Sequence, residues 1–244
     1  VSEKSRGVLI FATNTSDVDY VKIAELNAKL IKQHMGLPTT IVQGTLGQNK
    51  RLVSGAVTEW HNGGRCNAYE LSPYDETLVL DGDYLVFDDS LLKVLDTVED
   101  YAISHKHIYI NEQVNDTMGP YAIGPMLWAT VIAFKRTSKA RMLFEVAGMV
   151  QHNYSYYRAL YKLQSSIFRN DATFTIADRI VNGYSENMSC RVPWPIMTIS
   201  GEINRMVVDK HRILVYNKER AYVLPRANLH LHDKRYLQNG FEYA

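Results

Sequence analysis

The chain has 244 residues, 46% of them hydrophobic and 22% charged, with 27 Lys and Arg against 26 Asp and Glu. This composition excludes a disordered, collagenous or coiled-coil chain, and the length suffices to bury a substantial core without disulfides or structural metal. The balanced total conceals a polarity: residues 1–122 carry 10 basic and 17 acidic side chains and residues 123–244 carry 17 and 9, which suggests cation binding in the first half and a phosphate-facing surface in the second, against the plain alternative of an evenly mixed surface.

Val1 to Gly7 is polar and charged and lacks the apolar core of a secretory signal. Val8 to Ala12 is a short, fully apolar run of the kind that fills a central parallel strand. A helix is expected next, capped by Asp17, with Tyr20, Ile23, Ala24, Leu30 and Ile31 at helical spacing until Gly36 and Pro38 stop it. Thr39 to Val42 then reads as a second strand, completing a βαβ unit that favours a nucleotide-binding α/β sheet. Gln43 to Arg65 holds five glycines and reads as a functional loop. Ala68 to Leu71 is expected as a helical turn, Thr77 to Leu80 as a third buried strand, Tyr84 to Phe87 as extended, Ser90 as the cap of a short helix and Ile108 to Ile110 as a strand.

The uncharged stretch Tyr121 to Phe134 is too short to span a membrane and is broken by Gly124 and Pro125, so a buried turn leading into a strand, Ala129 to Phe134, is expected. Ser138 is read as the cap of one long helix through Tyr161, and Asp171 as the N-cap of a helix from about Ala172 to Val181, closed by Gly183. Arg212 to Tyr216 and Ala221 to Leu224 flank Asn217 and Lys218 as a hairpin. The two cysteines, Cys66 and Cys190, are isolated, and no Cys/His cluster has zinc spacing. These features point to a cytoplasmic protein with no membrane partner.

The sharpest motif is Leu78-Val79-Leu80-Asp81-Gly82-Asp83. Two carboxylates at i and i+2 behind an apolar strand aim to the same side, at the carboxyl edge of the sheet where α/β ligands bind. Their mutual repulsion would be relieved by a hard divalent ion that also bridges a diphosphate. The alternative is an acidic turn in water.

With its flanks, Ser72-Pro73-Tyr74-Asp75-Glu76-Thr77 before the strand and Tyr84-Leu85-Val86 after the turn, this segment resembles the stretch across the DxD motif of GT-A-fold glycosyltransferases. Phe11-Ala12-Thr13-Asn14, followed by Asp19-Tyr20, is similar to the first strand and nucleotide-binding turn of the same enzymes. The resemblance covers roughly residues 7–235 and is nearest to small phage-type glycosyltransferases, some of which glycosylate modified bases in DNA. It implies one GT-A-like (Rossmann-like) α/β domain over residues 1–244, with a mixed, mainly parallel central sheet flanked by helices. Residues 7–122 would bind the nucleotide sugar, and residues 123–235 would supply the acceptor half and a C-terminal closing tail. It further implies Asp83 as principal metal ligand, Asp81 on the metal or the ribose, Thr13, Asn14, Asp19 and Tyr20 along the nucleotide, and Arg65 on the donor. Tyr20 as a core aromatic and Arg65 as a surface cation are the structural alternatives.

In the tail, His230-Leu231-His232-Asp233-Lys234 places a potential metal ligand four residues from an ammonium, suiting a segment that closes over a metal-bound diphosphate. His230 is the favoured ligand and Lys234 the phosphate contact, with His232 pointing the other way if the segment is extended. A nitrogen ligand tilts the ion from Mg²⁺ towards Mn²⁺. The His-x-x-Gly-x-x-Lys spacing of one retaining subgroup is absent. A solvated His-rich tail is the alternative.

Phe168-Arg169-Asn170-Asp171 opens a helix. Asp171 is either a cap or, as the resemblance implies, an acidic residue beside the acceptor that deprotonates the attacking hydroxyl if configuration inverts and only orients the acceptor if it is retained; Asn170 is read on the acceptor as well, and Trp128 as a wall for the sugar or base, with core filler as its alternative. Gly119-Pro120 and Gly124-Pro125 would form the floor between the two pockets. Tyr154, Tyr156, Tyr157, Tyr161 and Phe168, interleaved with Arg158, Lys162 and Arg169, suit a nucleic-acid acceptor or a tyrosine-rich core.

The expected function is transfer of a hexose or pentose from a nucleotide sugar, UDP-linked, to a hydroxyl, assisted by Mn²⁺ or Mg²⁺. Hydroxymethylated pyrimidine in phage DNA is the leading acceptor, followed by a saccharide or small molecule. The rivals are a haloacid-dehalogenase-like phosphatase, whose motif wants Thr or Val where this chain has Leu85, and a non-catalytic nucleotide-binding module.

Overall fold

The apolar N-terminal run forms β1 (Arg6–Ala12), with Val8, Leu9 and Ile10 completely buried; burial on both faces is what a central strand covered by helices requires. The computed structural model describes residues 4–44, 47–50, 57–60, 63–110, 123–163 and 168–243. α1 (Tyr20–Met35) follows, and Gly36 closes it at φ 71°, a left-handed turn that glycine adopts without a Cβ clash. The N-cap is Asp19, whose side chain accepts from the Lys22 N–H at 3.0 Å. Asp17, the expected cap, instead lies 3.6 Å from Arg235. β2 (Thr39–Gln43) pairs parallel to β1 and completes the βαβ unit.

A hairpin of β3 (Gly47–Lys50) and β4 (Val57–Trp60) and the short α2 (Ala68–Leu71) lead to β5 (Glu76–Leu80), which pairs parallel to β1 on its other side. Then come β6 (Tyr84–Leu85), α3 (Ser90–Thr97), β7 (Tyr101–Ser104), β8 (His107–Tyr109) and β9 (Trp128–Lys135). β9 inserts antiparallel between β5 and β7, giving the order β2-β1-β5-β9-β7. The result is the expected single α/β domain with a mixed central sheet, its parallel part confined to β2, β1 and β5. Both halves of the chain build this sheet, because β9 comes from the second half.

The helix expected from Ser138 to Tyr161 is two helices, α4 (Ser138–His152), capped by Thr137, and α5 (Tyr154–Leu160). The break falls at Asn153, whose backbone N–H and side-chain amide both donate to the Met149 carbonyl, at 3.1 and 2.9 Å. α6 (Asn170–Val181) starts early enough that Asp171 lies inside its first turn and does not cap it. On α6 the fully buried Asp178 receives Arg191 at 2.7 and 2.9 Å and the Tyr101 hydroxyl at 3.1 Å, so the buried charge is paired and hydrogen-bonded. Tyr154, Tyr161 and Phe168 are buried in one cluster with Met126, Val150 and Ile176. The aromatic stripe is therefore mostly core, and Tyr156, 63% exposed, with the half-buried Tyr157 is what it leaves at the surface.

The rest of the chain is β10 (Ile196–Ile199), β11 (Arg205–Val208), β12 (Arg212–Tyr216), β13 (Ala221–Pro225), β14 (Leu229–Leu231), α7 (Lys234–Leu237) and β15 (Glu242–Tyr243). β12 and β13 form the expected hairpin and join β11 and β15 in one sheet. A second four-stranded sheet, β6-β14-β10-β8, positions the candidate site.

Candidate active site

β5 stops at Leu80 and the chain folds back on itself. The Tyr84 N–H donates to the Asp81 carbonyl and the Asp81 N–H to the Thr130 carbonyl of β9, each at 3.0 Å. Asp81 and Asp83 are thus brought together by a turn, where the spacing alone suggested alternation along an extended strand. The turn stands at the carboxyl ends of β5 and β1, the edge at which α/β sheets bind ligands.

β6 leaves this turn and pairs antiparallel with β14, setting Tyr84 opposite His230, and the Leu231 N–H donates to the Asp83 carbonyl at 2.9 Å. That register delivers the tail to the motif. Lys234 Nζ is 2.6 Å and His230 Nε2 3.5 Å from Asp83 Oδ2, and the ligating atoms of Asp81, Asp83 and His230 all lie within 4.8 Å of one another. Burial alone would raise the Asp83 carboxyl, but Lys234 and His230 outweigh it and hold the group well below the usual carboxylate range. Burial likewise opposes the charge on Lys234, and Asp83 outweighs it, so the ammonium is held above its ordinary value. Arg65 is 1% exposed, donates to the Ala129 carbonyl at 2.5 Å and pairs with Asp81; it is a buried partner, not a surface cation. Tyr20 opens α1 beside these charges. Burial raises its hydroxyl, and Asp83 and Asp81 add to the rise against Lys234.

Two carboxylates are therefore balanced by one guanidinium and one ammonium. A divalent ion and the doubly charged diphosphate of a nucleotide sugar would enter as a neutral pair, with no net charge added to a half-buried site. Two carboxylate oxygens and an imidazole nitrogen are a donor set that fits Mn²⁺ and, less well, Mg²⁺.

His107 on β8, Thr198 on β10 and His230 on β14 sit side by side, with Thr198 opposite His230 and Ile196 opposite His107 in the ladders. The Thr198 hydroxyl contacts His107 Nε2 and lies 3.4 Å from His230 Nδ1. His232 does not point away. Its ring centroid is 4.7 Å from that of His230 and 6.3 Å from that of His107, because the chain turns after Leu231 into the α7 cap, with the Lys234 N–H on the His232 carbonyl at 3.0 Å. Burial, reinforced by His230 and His232, lowers His107 to about 3. His232 falls to about 4 through burial, then His230 and Lys234. Trp128 is buried with its ring 4.5 Å from His107, and its indole N–H has no partner among the described residues.

Asp171 accepts from the Ala129 N–H at 2.9 Å through Oδ1 and from Arg169 at 3.1 Å through Oδ2. Ala129 thereby links the two expected sides, its N–H on Asp171 and its carbonyl on the Arg65 that holds Asp81. Asn170 is buried next to it. Thr13 Oγ1 accepts from the Gly44 N–H at 3.3 Å, and Asn14 Oδ1 from the Val21 N–H at 2.9 Å. Together with the Asp19 cap, these residues shape the β1–α1 turn at the same edge. Gly119 and Pro120 lie outside the described residues. Sequence reasoning missed His107 and Thr198: they are 91 residues apart, each on a short strand without a motif, and only the pairing of β8, β10 and β14 joins them.

No helix among the described residues is long and apolar enough to cross a membrane. No protein-family model and no curated protein matches this chain. Among solved structures it is similar to the glycosyltransferase GlyE of Streptococcus pneumoniae TIGR4, with 12% identity over 72% of this chain and 44% of that one and a TM-score of 0.40. It is also similar to the galactosyltransferase LgtC in complex with donor and acceptor sugar analogs, with 16% identity over 70% of this chain and 69% of that one and a TM-score of 0.42. A glycosyltransferase involved in the glycosylation of the major capsid of PBCV-1 aligns at 10% identity over 66% of this chain and 78% of that one, with a TM-score of 0.34. This chain thus spans less than half the length of GlyE. At such identities nothing of their chemistry passes to it.

Proposed function

We propose that this chain is a metal-dependent GT-A-type glycosyltransferase that moves a sugar from a UDP-linked donor to a hydroxyl acceptor. The observation that carries this reading is the convergence of Asp81, Asp83 and His230 within 4.8 Å at the carboxyl edge of β1 and β5, with Arg65 and Lys234 as counter-charges. Asp83 and His230, with Asp81, would hold Mn²⁺ or Mg²⁺, which when bound offsets the negative charge that builds on the departing diphosphate. Lys234 supplies a second positive charge to the same phosphates. Arg65 fixes Asp81 from behind. Thr13, Asn14, Asp19 and Tyr20 would face the nucleoside, and Trp128 and Asn170 the acceptor. Asp171 commits Oδ1 to Ala129 and keeps Oδ2, shared with the half-exposed Arg169, for orienting the attacking hydroxyl or taking its proton. Because most rings of the aromatic stripe lie in the core, a saccharide or small-molecule hydroxyl is the acceptor we favour, and hydroxymethylated pyrimidine in DNA is the other arm of the acceptor assay.

The test is thermal stability with UDP-, GDP- and CDP-sugars, with and without Mn²⁺. A UDP-sugar should raise the melting temperature only when Mn²⁺ is present, by a stabilisation of about 2.7 kcal/mol at a hundredfold excess over its Kd. Asp83→Ala should abolish that shift and sugar transfer while the circular dichroism spectrum is kept. Near-normal turnover in Asp83→Ala, or hydrolysis of an aryl phosphate without any sugar nucleotide, would overturn the reading.

A further inference from the structure

We infer that His107, His230 and His232 form a second metal site, an all-nitrogen one for a cation of the Zn²⁺ class, and that it shares His230 with the carboxylate site, so that the two are not filled together. His107 stands on β8, His230 on β14, and His232 just after β14. Each ring offers a nitrogen within 4.8 Å of the other two. The ring centroids are 4.7 Å apart for His230 and His232, 5.8 Å for His107 and His230 and 6.3 Å for His107 and His232, with interplanar angles of 87°, 40° and 57°. The rings therefore converge and do not stack. Three imidazoles on one tetrahedral ion, each about 2.0–2.1 Å from it, have their nitrogens about 3.4 Å and their ring centres about 5 Å apart. The pairing of β8, β10 and β14 thus holds the three rings near the spacing that a shared ion needs.

His107 is 1% and His230 8% exposed, and His232 is half-buried. Burying an imidazole costs free energy unless its nitrogens find partners. His107 Nε2 contacts the Thr198 hydroxyl, whereas its Nδ1 has no hydrogen-bond partner among the described residues. A cation is a partner that three converging imidazoles can share. The donor set selects the ion: imidazoles without a carboxylate suit Zn²⁺, Cu²⁺ or Ni²⁺, and Mn²⁺ stands lowest in affinity and favours oxygen. The cluster of Asp81, Asp83 and His230 has the opposite bias. His230 belongs to both clusters, and a neutral imidazole has one lone pair to give, so an ion on the three histidines withdraws this ring from the two carboxylates. That antagonism rests on the proposed Mn²⁺ site, whereas the all-nitrogen site stands without it.

In untagged, chelator-treated protein, Zn²⁺ binding is measured by titration calorimetry, Co²⁺ in its place by visible absorption, and Mn²⁺ from the electron paramagnetic resonance of the free ion. The wild type is compared with His232→Asn, His107→Gln and Asp83→Asn. The wild type should take up a single Zn²⁺, and Co²⁺ should show the intense visible band of a four-coordinate site. His232→Asn and His107→Gln should each weaken Zn²⁺ by more than the roughly 10–100-fold that loss of a ligand's own hydrogen-bond partner costs, and both should keep Mn²⁺. Asp83→Asn should keep Zn²⁺ and lose Mn²⁺. An equimolar addition of Zn²⁺ should release Mn²⁺ from the wild type but not from His232→Asn. If the wild type binds no Zn²⁺, if both histidine variants bind it as the wild type does, or if Asp83→Asn abolishes binding that they retain, the all-nitrogen site is wrong. If Zn²⁺ and Mn²⁺ bind the wild type together, the sharing of His230 is wrong. If the histidine variants lose Zn²⁺ but the wild type binds no Mn²⁺, the all-nitrogen site stands and the carboxylate reading falls. Should His107→Gln fail to fold by circular dichroism, His232→Asn decides alone.

Discussion

His107 and His232 hold their rings in the same buried space as His230, and this couples the site to the stability of the fold. Burial and neighbouring charges bring His107 to about 3 and His232 to about 4, whereas both titrate near 6.5 in an unfolded chain. Between those limits the unfolded state binds protons that the native state refuses. The stabilisation is therefore complete above about pH 6.5 and is lost as the pH falls towards about 4 for His232 and about 3 for His107. Each ring contributes a slope of at most about 1.4 kcal/mol per pH unit, and His232 contributes less because it is only half-buried. Asp83 adds to the loss at lower pH, since its depressed carboxyl stabilises the fold above the carboxylate range and ceases to do so as protonation is forced. In chelator-treated protein, the urea midpoint should fall steadily from about pH 7 to about pH 5, and His232→Asn should flatten that dependence. A midpoint that does not move over this range would mean that the rings are solvated.

At the scale of elements, β1 meets the chain ahead of β5 through one close contact. The Tyr74 ring lies flat over Gly7, where a Cβ would fall 2.4 Å from ring carbons, and the Tyr74 hydroxyl is 2.9 Å from Thr40 Oγ1 on β2. Gly7→Ala should expel the ring and cost about 1–3 kcal/mol. Adding Tyr74→Ala should then cost little more, because the clash is gone. Additive losses in the denaturation of the double variant would show that the two residues do not touch. The contact of Gly7 with Tyr74 was not legible in the sequence, but the strands around it were: β1, α1, β2, β5, β9 and the β12–β13 hairpin declare themselves by unbroken apolar runs, a helical period closed by Gly36, or turn residues between two strands. β10 and β14, four and three residues long, do not, since their identity as strands comes from partners far along the chain. The same distinction divides the site. Asp81, Asp83, His230 and Lys234 could be read from local spacing, whereas His107 and Thr198 are assembled only by parallel pairing across β8, β10 and β14. The break at Asn153 was hidden because the apolar period continues through it.

At the scale of the molecule, acidic side chains of the first half meet basic side chains of the second at several ion pairs, Glu76 with Lys135, Glu70 with Arg141 and Asp17 with Arg235 among them, and the candidate site is one of these meeting places. The acidic first half supplies Asp81 and Asp83, and the basic second half returns with His230 and Lys234 to face them. The tail that carries them is anchored in the fold. Gln238 accepts from the Asp19 N–H at 3.0 Å, Asp233 accepts from the Ile203 N–H at 2.8 Å, and β14 lies between β6 and β10. A segment that merely closed over ligand would be dispensable to the fold, whereas a central strand is not, because its loss leaves two ladders of backbone groups unpaired. Lys234→Ala should therefore keep a cooperative unfolding transition, with Asp83 left partly uncompensated, while donor affinity in Mn²⁺ is lost. Removing residues 229–244 should instead abolish the cooperative transition and the near-ultraviolet dichroism of the site aromatics. A truncated chain that unfolds as sharply as the intact one would make the tail a detachable strap, and the pairing of Tyr84 with His230 could then no longer be what brings the carboxylates their counter-charge.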